Sequence, residues 1–229
     1  EKEAAVVLPT EDEDLFRILK GELFTAVLGD VLDDMGFLRN FLPPAIRPVD
    51  SAWILAGRAM TVQEADCAGP SEDRGRSSQP FGLMFEALDS LKPGEVYICT
   101  GSTPDYALWG ELMSTRAKAL GAAGAVLDGF HRDSAGVRRL GLPVFSFGAY
   151  AQDQKMRGRV IDYRCPLVFP NGVRVEPGDL VFGDQDGVLV IPRRAEKEAL
   201  LRALEKVRGE SKVKAALENG MSTQEAFSR

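Results

Sequence analysis

The stretch GAVLDGFHRDSAGVRRLGLPVFS, residues 124–146, decides the fold of this chain. Its first apolar run, residues 124–129, ends on a glycine and predicts a buried strand. Residues 135–140 predict one helical turn, and residues 141–146 predict a second strand. A short helix between two apolar strands is typical of a parallel β-α-β unit.

The residues before this stretch continue the same alternation. Glu95–Thr100 is an apolar run that predicts a strand, and residues 107–120 predict a helix that ends at Gly121. Residues 81–91 predict a short amphipathic helix. Strands and helices therefore alternate along the middle of the chain, and we predict an α/β fold with a parallel sheet.

Both ends of the chain are predicted to be helical. Residues 11–36 carry apolar side chains on helical stripes, and residues 192–219 predict one long charged helix. The stripe of this last helix is formed by Leu200, Leu201, Leu204 and Val207. We therefore predict one domain, residues 1–229, with N-terminal helices at 11–36 and a C-terminal helical extension at 192–229.

Three further segments are predicted from their glycines, prolines and polar residues. Residues 54–62 predict a strand that is bent or bulged at Gly57. Residues 67–80 are rich in glycine, serine and charge, and predict a long loop. From Val160 onward, short apolar runs predict antiparallel hairpins, with a tight turn at residues 183–187.

Composition excludes several classes of partner. The formal net charge is −6 and no basic run is present, which argues against nucleic acid and anionic membrane surfaces. Cys67, Cys99 and Cys165 are far apart and form no CxxC pair, so we expect reduced thiols. No stretch is long enough to span a bilayer, and residues 1–13 contain no apolar signal core. We expect a cytoplasmic protein.

The polar residues that follow the predicted strands form the candidate site, since sites of parallel sheets lie beyond the carboxyl ends of strands. The strand Glu95–Thr100 leads to a helix start near Gly110 and Glu111, where unpaired amides favour an anion. The next strand leads to Arg132 and Asp133 at the same edge. Arginine holds carboxylates in a bidentate manner, and aspartate is a hard ligand for Mg²⁺ or Mn²⁺. This edge therefore suits a divalent metal that bridges a 2-oxo acid.

Each of these features also has a plainer interpretation. Glu111 could simply complement the dipole of a helix start, and an exposed Arg-Asp pair is commonly a solvated surface pair. His131 is the only histidine, which argues against a histidine-based triad or zinc site, and we expect it to be a loop residue. Gly121, Gly124 and Gly129 do not form GxGxxG, which argues against a dinucleotide or S-adenosylmethionine site.

Five segments of the sequence carry the pattern of a known family. They are GRAMTV at 57–62, KPGEV at 92–96, WGEL at 109–112, VLDGFHRD at 126–133 and the strands between 177 and 188. Taken in order, these segments resemble the RraA-like family, which includes the class II 4-hydroxy-4-methyl-2-oxoglutarate/4-carboxy-4-hydroxy-2-oxoadipate aldolases. The resemblance runs from residue 25 to residue 193. The family signature is an acidic residue, twenty intervening residues and then Arg-Asp, and here Glu111 stands where Asp is common.

The resemblance implies a β/β/α swivelling-domain fold that assembles as a homotrimer or hexamer with sites between subunits. It implies that Asp133 ligates Mg²⁺ or Mn²⁺ directly, while Glu111 acts through a bound water. Arg132 would hold the substrate oxygens and stabilise an enolate. The helix start at Gly110 would bind the substrate carboxylate through the amides of Leu112 and Met113. A glutamate from a neighbour's C-terminal segment would complete the metal shell; Glu210 is the first candidate, with Glu205 and Glu218 as alternatives.

One position departs from the family pattern: Gly136 stands where an acidic residue is common, three residues after Asp133.

The resemblance implies two functions. One is a divalent-metal-dependent carbon–carbon lyase that yields pyruvate from a small 2-oxo acid by retro-aldol cleavage or decarboxylation. The other is a non-catalytic regulator of a protein partner, in the manner of the ribonuclease-inhibitor members. A C-terminal helix that completes the site favours the enzyme, and one packed away from Asp133 favours the regulator.

Overall fold

The computed structural model describes residues 8–67 and 79–226, in which twelve strands occur. The predicted loop at 67–80 lies largely outside these residues. The strands are β1 Arg47–Pro48, β2 Leu55–Asp66, β3 Glu95–Thr100, β4 Ala107–Trp109, β5 Gly124–Leu127, β6 Phe130–His131, β7 Val144–Ser146, β8 Gly158–Tyr163, β9 Leu167–Val168, β10 Arg174–Val175, β11 Leu180–Asp184 and β12 Gly187–Ile191.

A mixed central sheet has the order β1-β7-β5-β3-β2-β11-β12, with β8 paired to β2 outside this path. Strands β2, β3, β5 and β7 are parallel neighbours, while β11, β12, β8 and β1 are antiparallel. The apolar runs of β3 and β5 are buried, as expected for strands covered on both faces. The predicted α/β fold with parallel β-α-β units is therefore confirmed.

The helices pack in two groups around this sheet. They are α1 Asp12–Glu22, α2 Thr25–Asp34, α3 Met84–Asp89, α4 Glu111–Ala119, α5 Ser134–Leu140, α6 Arg193–Glu218 and α7 Thr223–Ala226. Helices α1, α2 and α6 share a core with β11 and β12, in which Leu200 and Leu204 of α6 are buried. Helices α3, α4 and α5 share a second core with β3 and β5. The terminal helices lie within the segments predicted to be helical.

The predicted helix at 107–120 is wrong at its beginning. Ala107–Trp109 forms β4, whose three residues are buried and pair in parallel with β6. The helix begins only at Glu111, after Gly110 in an extended conformation. The pairing with β6 is a contact between distant residues, and such contacts override local helical periodicity.

The predicted bulge at Gly57 is also wrong, because Gly57 pairs in register with Val181. The register shifts between Gln63 and Glu64 instead, and β2 continues past the predicted end at Val62. Gly57 has a packing role, since an added Cβ would lie 2.7 Å from the Gly94 carbonyl oxygen. The tight turn predicted at 183–187 is confirmed as the β11–β12 hairpin.

Candidate active site

Two short strands bring the candidate residues together beyond the carboxyl ends of β3 and β5. Trp109 of β4 lies opposite His131 of β6, and the Arg132 amide donates to the Trp109 carbonyl at 2.9 Å. Because both strands end here, Gly110 and Arg132 leave the ladder side by side. The structure therefore places the predicted residues 110–113 next to the predicted residues 132–133.

Asp133 lies directly before α5 with a backbone φ of 58°. This left-handed conformation is uncommon for a residue with a side chain, and such conformations cluster at functional sites. The Asp133 Oδ2 accepts a hydrogen bond from the Glu111 amide at 3.2 Å. A Cβ added to Gly110 would lie 2.6 Å from the same oxygen. The absence of a side chain at Gly110 thus lets the Asp133 carboxylate lie against the start of α4.

Arg132 is held between two carboxylates. Its Nη1 lies 3.0 Å from Asp153 Oδ1, and its Nε lies 3.8 Å from Asp133 Oδ2. The Arg132 side chain is 40% exposed, so these ion pairs add little to folding stability. The two ion pairs instead orient the guanidinium group beside Asp133, and part of its surface stays open to an incoming anion.

The side chain of Glu111 lies against the first turn of α5. Its Oε1 accepts a hydrogen bond from Arg139 Nη2 at 2.9 Å. A Cβ added to Gly136 would overlap the Glu111 carboxylate group. The glutamate, one methylene longer than aspartate, therefore occupies the space above Gly136, and this places an acidic group where residue 136 itself has none.

A cleft of about 190 Å³ opens beside these residues, and we call it the α4 cleft. It includes the predicted residues Gly110, Leu112, Met113, Arg132 and Asp133. Sequence reasoning missed the rest of its wall. The further lining residues are Phe81, Met84, Phe85, Ala107, Leu108, Trp109, Asp153 and Gln154.

Behind Gln154 lies a buried carboxyl group, Glu64, that sequence reasoning also missed. Glu64 is fully buried, and its Oε2 accepts a hydrogen bond from Gln154 Nε2 at 2.7 Å. Its Oε1 has no hydrogen-bond partner among the described residues. Burial raises the pKa of Glu64 to about 8, although the hydrogen bond from Gln154 opposes the shift. The sequence contained one signal for this group: Glu64 is a charged residue two positions after Val62, and β2 continues through it.

His131 is not the loop residue that the sequence predicts. It lies in β6, buried, with Nδ1 at 2.8 Å from the Ser146 hydroxyl and Nε2 at 2.9 Å from the Ser134 hydroxyl. Burial lowers the pKa of His131, and the charge of Arg138 acts in the same direction. The ring is a neutral, hydrogen-bonded core group, and it fixes α5 to β7.

Glu210 lies apart from the cleft within one chain. Glu210 lies on α6 near Lys206. The hydrogen bond from Lys206 to Asp30 is the largest cause of the raised pKa of Lys206, and the charges of Asp30 and Glu210 raise this pKa further. In residues 8–67 and 79–226, no group of three acidic, cysteine or histidine residues is arranged to hold a metal. Any contribution of Glu210 to the site of Asp133 thus requires a second copy of the chain, and that role stays a prediction.

The parallel strands of the mixed sheet and the α4 cleft define the class of protein. It is an α/β protein with an arginine-and-carboxylate site beyond its strand ends. The chain belongs to the RraA-like family, described as Aldolase/RraA, which matches residues 25–190. In the part of the chain that the structure describes, no helix has the length and apolar character needed to cross a membrane.

Relatives of this chain carry different names. Protein DlpA of Legionella pneumophila is 30% identical over 88% of this chain, but the chain spans only 31% of that protein. A protein of Halalkalibacterium halodurans named "Putative 4-hydroxy-4-methyl-2-oxoglutarate aldolase" is 32% identical, covering 80% of this chain and 79% of its own length. The crystal structure of RraAS2 from Streptomyces coelicolor, titled an unusual member of the RNase ES inhibitor RraA family, superimposes with a TM-score of 0.75. It is 26% identical and covers 90% of this chain and 98% of its own.

Proposed function

We propose that this protein is a divalent-metal-dependent carbon–carbon lyase that releases pyruvate from a small 2-oxo acid. The observation that carries the proposal is the convergence of Arg132, Asp133 and the first turn of α4 on one cleft. Relatives named as aldolases support the same chemistry. The cleft offers a cation, a carboxylate and free helix amides within one small volume, which suits an anionic substrate held by its carboxylate.

Two elements of the chain would bind the 2-oxo carboxylate. The amides of Leu112 and Met113 lie in the first turn of α4, where helix amides have no partner in the helix and the dipole favours an anion. Arg132, oriented by Asp153, would hold the oxygen on which negative charge grows as the bond breaks.

The donor set at this edge fits Mg²⁺ or Mn²⁺, which prefer carboxylate oxygens and retain several waters. Asp133 would ligate the ion directly, since no described residue donates to its Oδ1. Glu111, which is paired with Arg139, would act through a bound water, and Glu210 of a neighbouring copy would complete the shell. When bound, the ion would withdraw electrons from the bond that breaks. A homotrimer or hexamer is therefore part of the proposal.

In the retro-aldol reaction the bond between C3 and C4 breaks and its electron pair becomes the enolate of pyruvate. A water held by Glu111 would take the proton of the C4 hydroxyl, the carbonyl product forms there, and C3 then takes up a proton. Decarboxylation of oxaloacetate breaks a carbon–carboxylate bond and yields the same enolate with CO₂. Arg132 can stabilise the enolate oxygen in both reactions, so one site can serve them.

Pyruvate release from a panel of 2-oxo acids, beginning with oxaloacetate and 4-hydroxy-4-methyl-2-oxoglutarate, tests this proposal. Assays with Mg²⁺, with Mn²⁺ and with chelator would be run on wild type, on Asp133→Ala and on Asp33→Ala. Asp33 is an exposed aspartate of α2 and serves as the control. We expect turnover that requires metal and Asp133 and is unaffected at position 33. Turnover that is insensitive to chelator and to Asp133→Ala would overturn the metal-dependent mechanism.

One observation favours a second function, the regulator of a protein partner. Within a single chain α6 packs against α2 and β12, away from Asp133, so one copy by itself lacks the glutamate that the lyase proposal takes from a neighbour. The Streptomyces coelicolor relative belongs to a family titled for ribonuclease inhibition. If no 2-oxo acid of the panel releases pyruvate and the purified protein inhibits a ribonuclease, the regulator function is established instead.

A further inference from the structure

The carboxyl group of Glu64 lies behind the wall of the α4 cleft, inside the core of a single chain. Glu64 is on β2, directly after the register shift of that strand, and is fully buried. Neither a divalent ion at Asp133 nor a neighbouring copy can touch a side chain that one chain already buries completely. The role of Glu64 is therefore decided by its contacts within its own chain.

The polar contact of Glu64 is with Gln154, which lines the cleft. Gln154 Nε2 donates to Glu64 Oε2 at 2.7 Å, and no described residue donates to Gln154 Oε1. Because the two ends of an amide are a donor and an acceptor, holding Nε2 on Glu64 leaves Oε1 as the acceptor of this side chain. Gln154 is only 3% exposed, so the cleft is the space from which a ligand reaches it.

The surroundings of Glu64 keep its carboxyl group neutral near neutral pH. Burial raises the pKa of Glu64 to about 8. Among the described residues, the titratable groups that interact with it are Tyr97, Cys99 and Tyr106, none of which is cationic. A neutral carboxyl group has one hydroxyl donor and one carbonyl acceptor. Since Oε2 accepts from Gln154, Glu64 holds the amide without placing a negative charge behind the cleft.

We propose that Gln154, positioned by Glu64, recognises the C4 hydroxyl of a 4-hydroxy-2-oxo acid through Gln154 Oε1. The cleft has a volume of about 190 Å³, so a small 2-oxo acid held at Arg132 extends to the other lining residues. Gln154 directly follows Asp153, whose Oδ1 lies 3.0 Å from Arg132 Nη1. The amide oxygen holds the hydroxyl in the bound substrate, and the proton itself passes to water. This inference rests on the proposed lyase function.

The contact separates the two reactions proposed for the site. The hydroxyl of 4-hydroxy-4-methyl-2-oxoglutarate can donate to Oε1, whereas C4 of oxaloacetate is a carboxylate carbon whose oxygens only accept. Gln154→Leu should therefore lower the ratio of kcat/KM for the hydroxy acid to kcat/KM for oxaloacetate by about fivefold. The change should be chiefly in KM, because the hydrogen bond is already formed in the bound substrate. A variant that is merely misfolded lowers both activities and leaves the ratio unchanged.

Two acids without a 2-oxo group test the recognition apart from turnover, because neither can undergo retro-aldol cleavage. 2,4-Dihydroxybutanoate and 2-hydroxybutanoate differ only in the C4 hydroxyl, and both are titrated calorimetrically into the full chain with Mg²⁺ present. We expect wild type to bind the dihydroxy acid about fivefold more tightly, and Gln154→Leu and Glu64→Leu to bind the two acids about equally. Glu64→Gln keeps an acceptor for Gln154 and should restore the preference. Gln224→Leu, at an exposed glutamine of α7, is the matched control.

The double variant Glu64→Leu/Gln154→Leu shows whether Glu64 acts through Gln154. If it does, the kcat/KM ratio of the double variant equals that of Gln154→Leu alone, since the two effects are not additive. A ratio lowered further by Glu64→Leu overturns the positioning role of Glu64, and so does a binding preference that Glu64→Leu retains.

The remaining outcomes separate the recognition from the lyase function. Equal binding of the two acids by wild type, or an undiminished preference in Gln154→Leu, overturns the recognition. The expected preferences without pyruvate release from any 2-oxo acid support the recognition and overturn the lyase function. Binding of neither acid overturns the recognition, and pyruvate release then tests the lyase function separately.

Discussion

The carboxylate of Glu111 occupies the space that a side chain on Gly136 would fill. Residue 136 is in the first turn of α5, so the Glu111 carboxylate approaches that turn from α4 and is held there by Arg139 at 2.9 Å. The arrangement therefore needs both the long side chain of Glu111 and the absence of a side chain at residue 136.

Substitution of Gly136 tests this arrangement directly. Gly136→Asp should displace the Glu111 carboxylate and weaken the apparent metal affinity by about tenfold or more, the usual effect of disturbing groups behind metal ligands. Glu111→Asp added to that variant shortens the clashing side chain and should restore much of the affinity. Metal dependence of pyruvate release is the measurement. Gly21→Ala, at a glycine with open space around it, is the control, and a double variant no better than Gly136→Asp would contradict the pairing.

The raised pKa of the buried Glu64 carboxyl group predicts that the stability of the fold depends on pH. Because burial raises the pKa of Glu64 from 4.5 to about 8, the folded chain keeps a proton that the unfolded chain loses. Its contribution to stability is therefore complete below about pH 4.5 and is lost as the pH rises toward 8, by up to about 5 kcal/mol in total. Glu64→Gln removes this titration.

Urea unfolding of Glu64→Gln and wild type at pH 5.5 and pH 8.5 measures the effect. We expect the free energy of unfolding of the variant, relative to wild type, to be clearly higher at pH 8.5 than at pH 5.5. Glu13→Gln, at an exposed glutamate of α1, should show no such change. The same difference at both pH values would mean that the pKa of Glu64 is not raised.

Arg132 is predicted to act in binding and catalysis rather than in folding. Arg132→Lys keeps the charge but loses the planar pair of donors, so KM for a 2-oxo acid should rise by roughly tenfold or more. The free energy of unfolding should change by less than about 1 kcal/mol, because the side chain is 40% exposed. Steady-state kinetics and urea unfolding separate the two effects, and unchanged KM and kcat would remove Arg132 from the proposed site.

Gly57 is predicted to be required for packing and not for a bulge. Gly57→Ala would bring a methyl group to 2.7 Å from the Gly94 carbonyl oxygen and from Val96 Cγ2. Overpacking of this kind costs about 1–3 kcal/mol in the free energy of unfolding. Gly21→Ala in α1 should instead be neutral or stabilising, because alanine favours helix. A Gly57→Ala protein as stable as wild type would show that β2 can move away from Gly94.

The strands and the edge at which Arg132 and Asp133 lie could be predicted because their signals are local. The runs at Glu95–Thr100 and Gly124–Leu127 are continuously apolar, as buried parallel strands are, and polar residues follow them directly in the chain. The matching segments, taken in order, were sufficient to predict the family, and the family match over residues 25–190 confirms this prediction.

Only the tertiary structure decided the features that depend on residues distant in the chain. Ala107–Trp109 is a strand because β6 lies beside it, and Glu111 turns to Gly136 because α5 leaves room there. Glu64 has a raised pKa because the core around it excludes water. Local periodicity indicates most of the strands and helices, whereas the pairing of distant strands, desolvation and steric fit are properties of the packed neighbours, and these are known only once the chain has folded.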